Sequence, residues 1–84
     1  MQKARLGDQI SHGGSIVSAS TDVLDNGIGV ARLGDAVICD RHGSQVIVTC
    51  SPNILTDGIG TARLGDFISC GATIVSGSPD TLIN

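Results

Sequence analysis

Two histidines and three cysteines in this 84-residue chain have side chains that bind transition metals, and three of these five stand at one count from a recurring landmark. The landmark is the pentapeptide Ala-Arg-Leu-Gly-Asp, which occurs at residues 4–8, 31–35 and 62–66. Four residues beyond its aspartate come His12, Cys39 and Cys70 in turn. Three ligands leave a tetrahedral site one short. His42, three residues after Cys39 in the run Cys-Asp-Arg-His, can supply the fourth. Two thiolates would balance the charge of a divalent ion, so such a site can sit in a dry interior. Zinc, one ion per chain and structural, is the expected occupant, although a Cys2His2 set also accepts iron. Taken singly, each residue has a plainer use. His12 and His42 precede glycines and suit turns, and a free cysteine is often a small core residue. Those uses leave the shared count unexplained. Cys50 lies outside it and aligns with Ala19 and Gly77, which marks a position for small packing residues.

To bring such residues together, the chain must fold as repeats. Self-similarity at this period signals one small unit used several times. The copies run from about residue 4 to 30, 31 to 61 and 62 to 84, within a single domain spanning residues 1–84. Each holds the pentapeptide, a short apolar stretch, a glycine turn, an Ile-Val pair and a serine-containing bend. Aligned on Ile16, Ile47 and Ile74, the second copy carries four extra residues between Cys39 and Gly43, and these include His42. Short strands are expected at 9–12, 15–18, 23–24, 28–32, 36–39, 46–50, 54–55, 67–70, 73–76 and 82–83. A long turn is expected at 40–45, and Asp25-Asn26-Gly27 is a strong hairpin signal. The fold expected is all-β: a small domain of short strands and hairpins with pseudo-threefold symmetry, stapled by zinc. Closure around an axis is favoured over a linear solenoid, since solenoids carry distinct capping repeats and none is visible.

Composition agrees and narrows the function. Phe67 is the sole aromatic residue, so the core must come from Ile, Val and Leu. A chain this small has little interior and commonly needs a metal, a disulfide or a partner. There is no Glu and one Lys, whereas Gly and β-branched residues abound, as short strands and tight turns require. The net charge of −3 argues against nucleic acid as a partner. The N-terminal MQKARLGD enters the first repeat directly, which argues against a signal peptide and against ordinary secretion.

Catalysis is not expected. Arg5, Arg32 and Arg63 with Asp8, Asp35 and Asp66 recur in every copy, which fits a structural ion pair better than a triplicated active site. The aspartates could alternatively orient a metal-bound histidine. A hydrolytic metal needs an open position and commonly a general base; here four donors fill the site and no Glu exists. No P-loop lysine and no G-x-S-x-G elbow is present.

These residues resemble the PAAR-repeat family, zinc-bearing tips of type VI secretion spikes and contractile phage tails. The matching segments are GDQISHGGSI, NGIGVARLGDAVICDRHG and DGIGTARLGDFISCGATIVSGS, with Gly29-Val30-Ala31-Arg32 and Gly60-Thr61-Ala62-Arg63 in place of the name-giving Pro-Ala-Ala-Arg. The resemblance implies a small conical domain, a sharp β-rich cone; members often carry toxin extensions, and a stand-alone tip without one is expected here. Its base would cap a trimeric VgrG-like or phage spike, one tip per trimer, while zinc sits near the point on His12, Cys39, His42 and Cys70. It further implies a monomer made in the cytoplasm, loaded on the spike with any effectors or adaptors, and delivered outside the cell or into the target, with transient contact with the target membrane. Ser20, Ser51 and Ser78, at strand ends away from the metal turns, are expected to face the partner. The rival expectations are a free-standing zinc-stapled binding module and, less favoured, a small metal-dependent hydrolase.

Overall fold

Each ARLGD forms one tight turn. The amide of Asp8, Asp35 or Asp66 donates to the carbonyl of Arg5, Arg32 or Arg63 at 3.0 Å in all three copies. The glycine between them has positive φ (87°, 86° and 91°), as the third residue of a type II turn requires. That geometry explains why the pentapeptide cannot drift: glycine sets the turn, and the aspartate closes it.

The computed structural model describes residues 2–25 and 27–78. Among these it holds seven short strands and no helix: β1 (Gly14–Ile16), β2 (Leu24–Asp25), β3 (Ile28–Gly29), β4 (Ala36–Cys39), β5 (Gly43–Val46), β6 (Leu55–Thr56) and β7 (Ile59–Gly60). β1, β4 and β5 form one antiparallel sheet, while β2–β3 and β6–β7 are separate hairpins. Isolated bridges make up much of the remaining pairing.

Threefold closure is written in the hydrogen bonds. Ala4 N donates to Ala62 O, Ala62 N to Ala31 O, and Ala31 N to Ala4 O, each at 3.0 Å. These three backbones form a closed ring, with the alanine side chains fully buried. Further out, Ile16 pairs with Val37, Ile47 with Ile68, and Ile74 with Ile10. Each repeat thus pairs with the next and the third returns to the first, which no linear stack would do.

The third repeat is completed by the chain's beginning. Leu6 N donates to Gly29 O and Leu33 N to Gly60 O; the equivalent Leu64 N donates to Gln2 O. Likewise Ser20 N reaches Val30 O, Ser51 N reaches Thr61 O, and Ser78 N reaches Lys3 O. Gln2 and Lys3 therefore stand where the other repeats place Gly29-Val30 and Gly60-Thr61. The strand expected at 82–83 lies outside the described residues.

Side chains sort by period two along each ladder. Of each Ile-Val pair, Ile16, Ile47 and Ile74 point inward, and Val17, Val48 and Val75 point outward. With Ile10, Val37 and Ile68 they fill the core beside Ala4, Ala31, Ala62, Ala72 and Cys39. One expectation is corrected: among the described residues, no leucine joins this core. Leu6, Leu24, Leu33 and Leu55 are exposed, and so is Phe67. The leucines occupy turn and outer-hairpin positions, because the space around a three-chain axis admits only small and β-branched side chains.

Candidate metal centre

The candidate ligand residues lie where three hairpins end. In the first and third copies the hairpins are short: Gln9 bridges Ser15, and Phe67 bridges Thr73. In the second copy the same ladder runs further, through Ala36↔Val46, Val37↔Gln45, Ile38↔Ser44 and Cys39↔Gly43. The four-residue insertion thus lengthens both arms of the hairpin, and the long turn expected at 40–45 shrinks to residues 40–42.

This changes which residues are equivalent. His12, His42 and Cys70 each precede a glycine of positive φ: Gly13 at 82°, Gly43 at 76° and Gly71 at 92°. These three side chains occupy the hairpin tips. Cys39, which matches His12 and Cys70 when counted from the aspartate, instead lies on strand β4 opposite Gly14 of β1. The numerical count thus reaches Cys39 by a route that differs from its geometric place. Gly14 makes the approach possible, since at φ 112° a Cβ there would run into the Ile38 carbonyl oxygen.

The structure brings all four residues together. One donor atom from each of His12, Cys39, His42 and Cys70 lies within 4.8 Å of all the others. Cys39 Sγ is 3.8 Å from His12 Nδ1 and 3.5 Å from His42 Nδ1. Cys70 Sγ is 3.7 Å from His12 Nδ1. Ligand bonds of about 2.3 Å to sulfur and about 2.0–2.1 Å to nitrogen give a tetrahedron with S···N edges of about 3.5 Å. The separations therefore fit one four-coordinate ion. Cys39 is buried, His12 and Cys70 are half-buried, and His42 is exposed. Burial pushes the Cys39 thiol up, but hydrogen bonds from His42, the Arg41 backbone and His12 outweigh it and bring it down to about 6. A thiol held towards its anionic form is prepared for a cation.

The arginines and aspartates have another task. Asp35 accepts bonds from Arg32 N, Nε and Nη2 at 2.7, 3.0 and 3.0 Å, and Asp66 accepts the same three from Arg63 at 2.7, 3.1 and 2.9 Å. Arg5 approaches Asp8 less closely: its backbone N is 2.6 Å away, but its Nε stands off at 3.8 Å. Each carboxylate also receives a hydroxyl: Ser76 to Asp8, Ser18 to Asp35 and Thr49 to Asp66. These braces lock the turns to neighbouring repeats, through arginines and hydroxyls rather than through a metal-binding histidine. The hydroxyls were legible as residues two beyond Ile16, Ile47 and Ile74, but the sequence reading did not single them out.

Ser20, Ser51 and Ser78 are buried and form no exposed row. The Ser20 hydroxyl accepts from the amides of Asp22 and Val23, and Ser51 from those of Asn53 and Ile54. Ser20 and Ser51 therefore cap bends from inside, and Ser78 is buried as they are. Cys50 lies away from the four donors, against Gly60.

A closed ring of three β-repeats with a mixed Cys/His group at its hairpin tips defines a small structural domain able to hold a metal. The PAAR-motif model matches residues 6–76, most of the chain, and the protein belongs to that family, which is associated with the spike tips of type VI secretion. No curated protein matches the chain.

Proposed function

We propose that this protein is the zinc-stapled tip of a contractile injection spike. The observation that carries the reading is the pairing of a closed threefold ring with one four-donor group at the hairpin tips, in a chain of the PAAR family. A pseudo-threefold monomer can seat on a threefold trimer by matching one repeat to each subunit. At the ladder ends away from the tips, the β2–β3 and β6–β7 hairpins expose Leu24, Ile28, Leu55 and Ile59. This apolar end is the surface we assign to a VgrG-like or phage spike.

The role is mechanical. His12, Cys39, His42 and Cys70 would hold zinc, and the ion would tie the three hairpins together at the point. With four protein donors a tetrahedral ion has no vacant position for substrate, so its contribution is to folding. The reading places the protein first in the cytoplasm and then, on the spike, beyond the cell envelope.

Native mass spectrometry after co-expression with a trimeric spike protein tests this. One tip per three spike chains, with one zinc retained, is the expected result. A zinc-bearing tip that never joins a trimer would favour a free-standing binding module. A metal-free tip that still caps the trimer would overturn the metal assignment alone.

A further inference from the structure

We propose that Cys39 and Cys70 are a disulfide-forming pair, closing a bond to one another when the metal is lost. The inference rests on the four-residue metal site but not on any spike.

Both sulfurs face the same atom, His12 Nδ1, at 3.8 and 3.7 Å. They lie within 4.8 Å of one another. A disulfide needs about 2.05 Å, so the gap is a side-chain rotation and a small shift of one turn. The two residues differ in a way that suits this. Cys39 is buried and fixed on strand β4, whereas Cys70 is half-exposed on a hairpin tip before the left-handed Gly71. An oxidant therefore reaches Cys70 first, and Cys39 is the resolving thiol. The third cysteine cannot compete, because Cys50 packs against Gly60, away from the tip.

The chemistry balances with a two-electron oxidant such as a peroxide or a diazene. In the metal-free protein both S–H bonds break and one S–S bond forms. The two protons and two electrons pass to the oxidant, so a peroxide becomes water and a diazene a hydrazine. With a metal bound, the sulfurs would already be thiolates; they would surrender two electrons to the oxidant, which would take its two protons from water, and the divalent ion would be released. Coordination would draw electron density from each sulfur and hold the two apart, so a bound ion would slow the oxidation. The new bond would join the second repeat to the third, the same two that Cys39 and Cys70 link through the metal, and leave His12 and His42 free.

The test uses the full chain carrying Cys50→Ser, so that only two thiols remain. Zinc-loaded and chelator-stripped samples are treated with diamide, and thiols are counted by alkylation and intact mass. Trypsin places the cysteines in separate peptides, 33–41 and 64–84, so a bond between them is read as one cross-linked species. The expected result is rapid loss of both thiols in the stripped monomer with that cross-link, and at least about tenfold slower loss with zinc bound. Disulfide-linked dimers, sulfinic acids without the cross-link, or equal rates with and without zinc would overturn the proposal. The intact masses also report zinc retention. Failure to bind metal is thereby told apart from failure of the pair to close.

Discussion

Replacing the same aspartate by asparagine in each of the three turns should cost three different amounts. Asp66→Asn is the severe case. Its carboxylate is 3% exposed and accepts from Arg63 N, Nε and Nη2 and from Thr49. The amide turns one acceptor into a donor and leaves the guanidinium without its counter-charge. Breaking a buried pair from one side costs about 3–5 kcal/mol. Asp35→Asn should cost less, about 2–4 kcal/mol, because Arg32 keeps a second carboxylate, Asp57, at 3.2 Å. Asp8→Asn loses no close guanidinium bond, since Arg5 Nε stands at 3.8 Å; its cost falls to the charge-assisted share of the Arg5 amide and Ser76 bonds, about 1–2 kcal/mol. For a domain of this size about 1 kcal/mol moves the midpoint by about 4–8 °C, so the first and last variants should melt about 10–20 °C apart. The assay is thermal and urea unfolding at one fixed free zinc concentration, because bound metal adds to stability by mass action. Costs equal within about 0.5 kcal/mol, or Asp8→Asn as the worst, would refute the claim that guanidinium geometry sets the strength of each turn.

Other outcomes follow from the tips and the core. Chelating zinc from protein held at about a thousandfold its dissociation constant should remove about 4 kcal/mol, a fall of about 15–30 °C in the calorimetric midpoint. Cys39→Ser should abolish that zinc-dependent rise, and an unchanged rise in the variant would remove Cys39 from the site. In metal-free protein the folded Cys39 value of about 6 lies below the ordinary 9.0, so folding favours the thiolate. Its contribution is complete above pH 9.0, shrinks as pH falls and is gone below about 6; urea titrations across that window should show the decline, and Cys39→Ser should flatten it. Gly14→Ala should destabilise far more than Gly43→Ala. The first sets a Cβ against the Ile38 carbonyl, whereas the second meets open space at φ 76° and pays about 1–2 kcal/mol for its left-handed backbone. Comparable midpoints for the two would show that β1 and β4 do not pack as closely as described.

The repeats were readable because ARLGD is a turn whose chemistry cannot vary. Glycine meets the positive φ, aspartate closes the turn, and arginine pairs with it. The four donors that the fold brings together were readable because an insertion is conspicuous among copies. What the insertion does was not. Four added residues can swell a loop or lengthen a ladder, and only cross-strand pairing decides. Composition could say that the core is aliphatic, but not that every described leucine stays out of it, because the width of the axis is a tertiary fact. The serine bends illustrate the same limit: Ser20 looks like a surface residue until the amides that its hydroxyl caps are located. Nor does Gln2-Lys3 resemble Gly29-Val30, so the way in which the chain's beginning completes the third repeat is visible only in the bond from Leu64 N to Gln2 O.

The lengthened second hairpin has a geometric consequence. Three equal arms around an axis can offer an ion a triangle, never a tetrahedron. The fourth vertex must come from an arm unlike its fellows, and here the added rungs of β4 and β5 carry Cys39 to it. The protein is therefore symmetric where its backbones meet and singular at its point. Turned by a third of a revolution, the alanine ring maps onto itself, yet the point does not. A label on Arg41 would make that orientation countable.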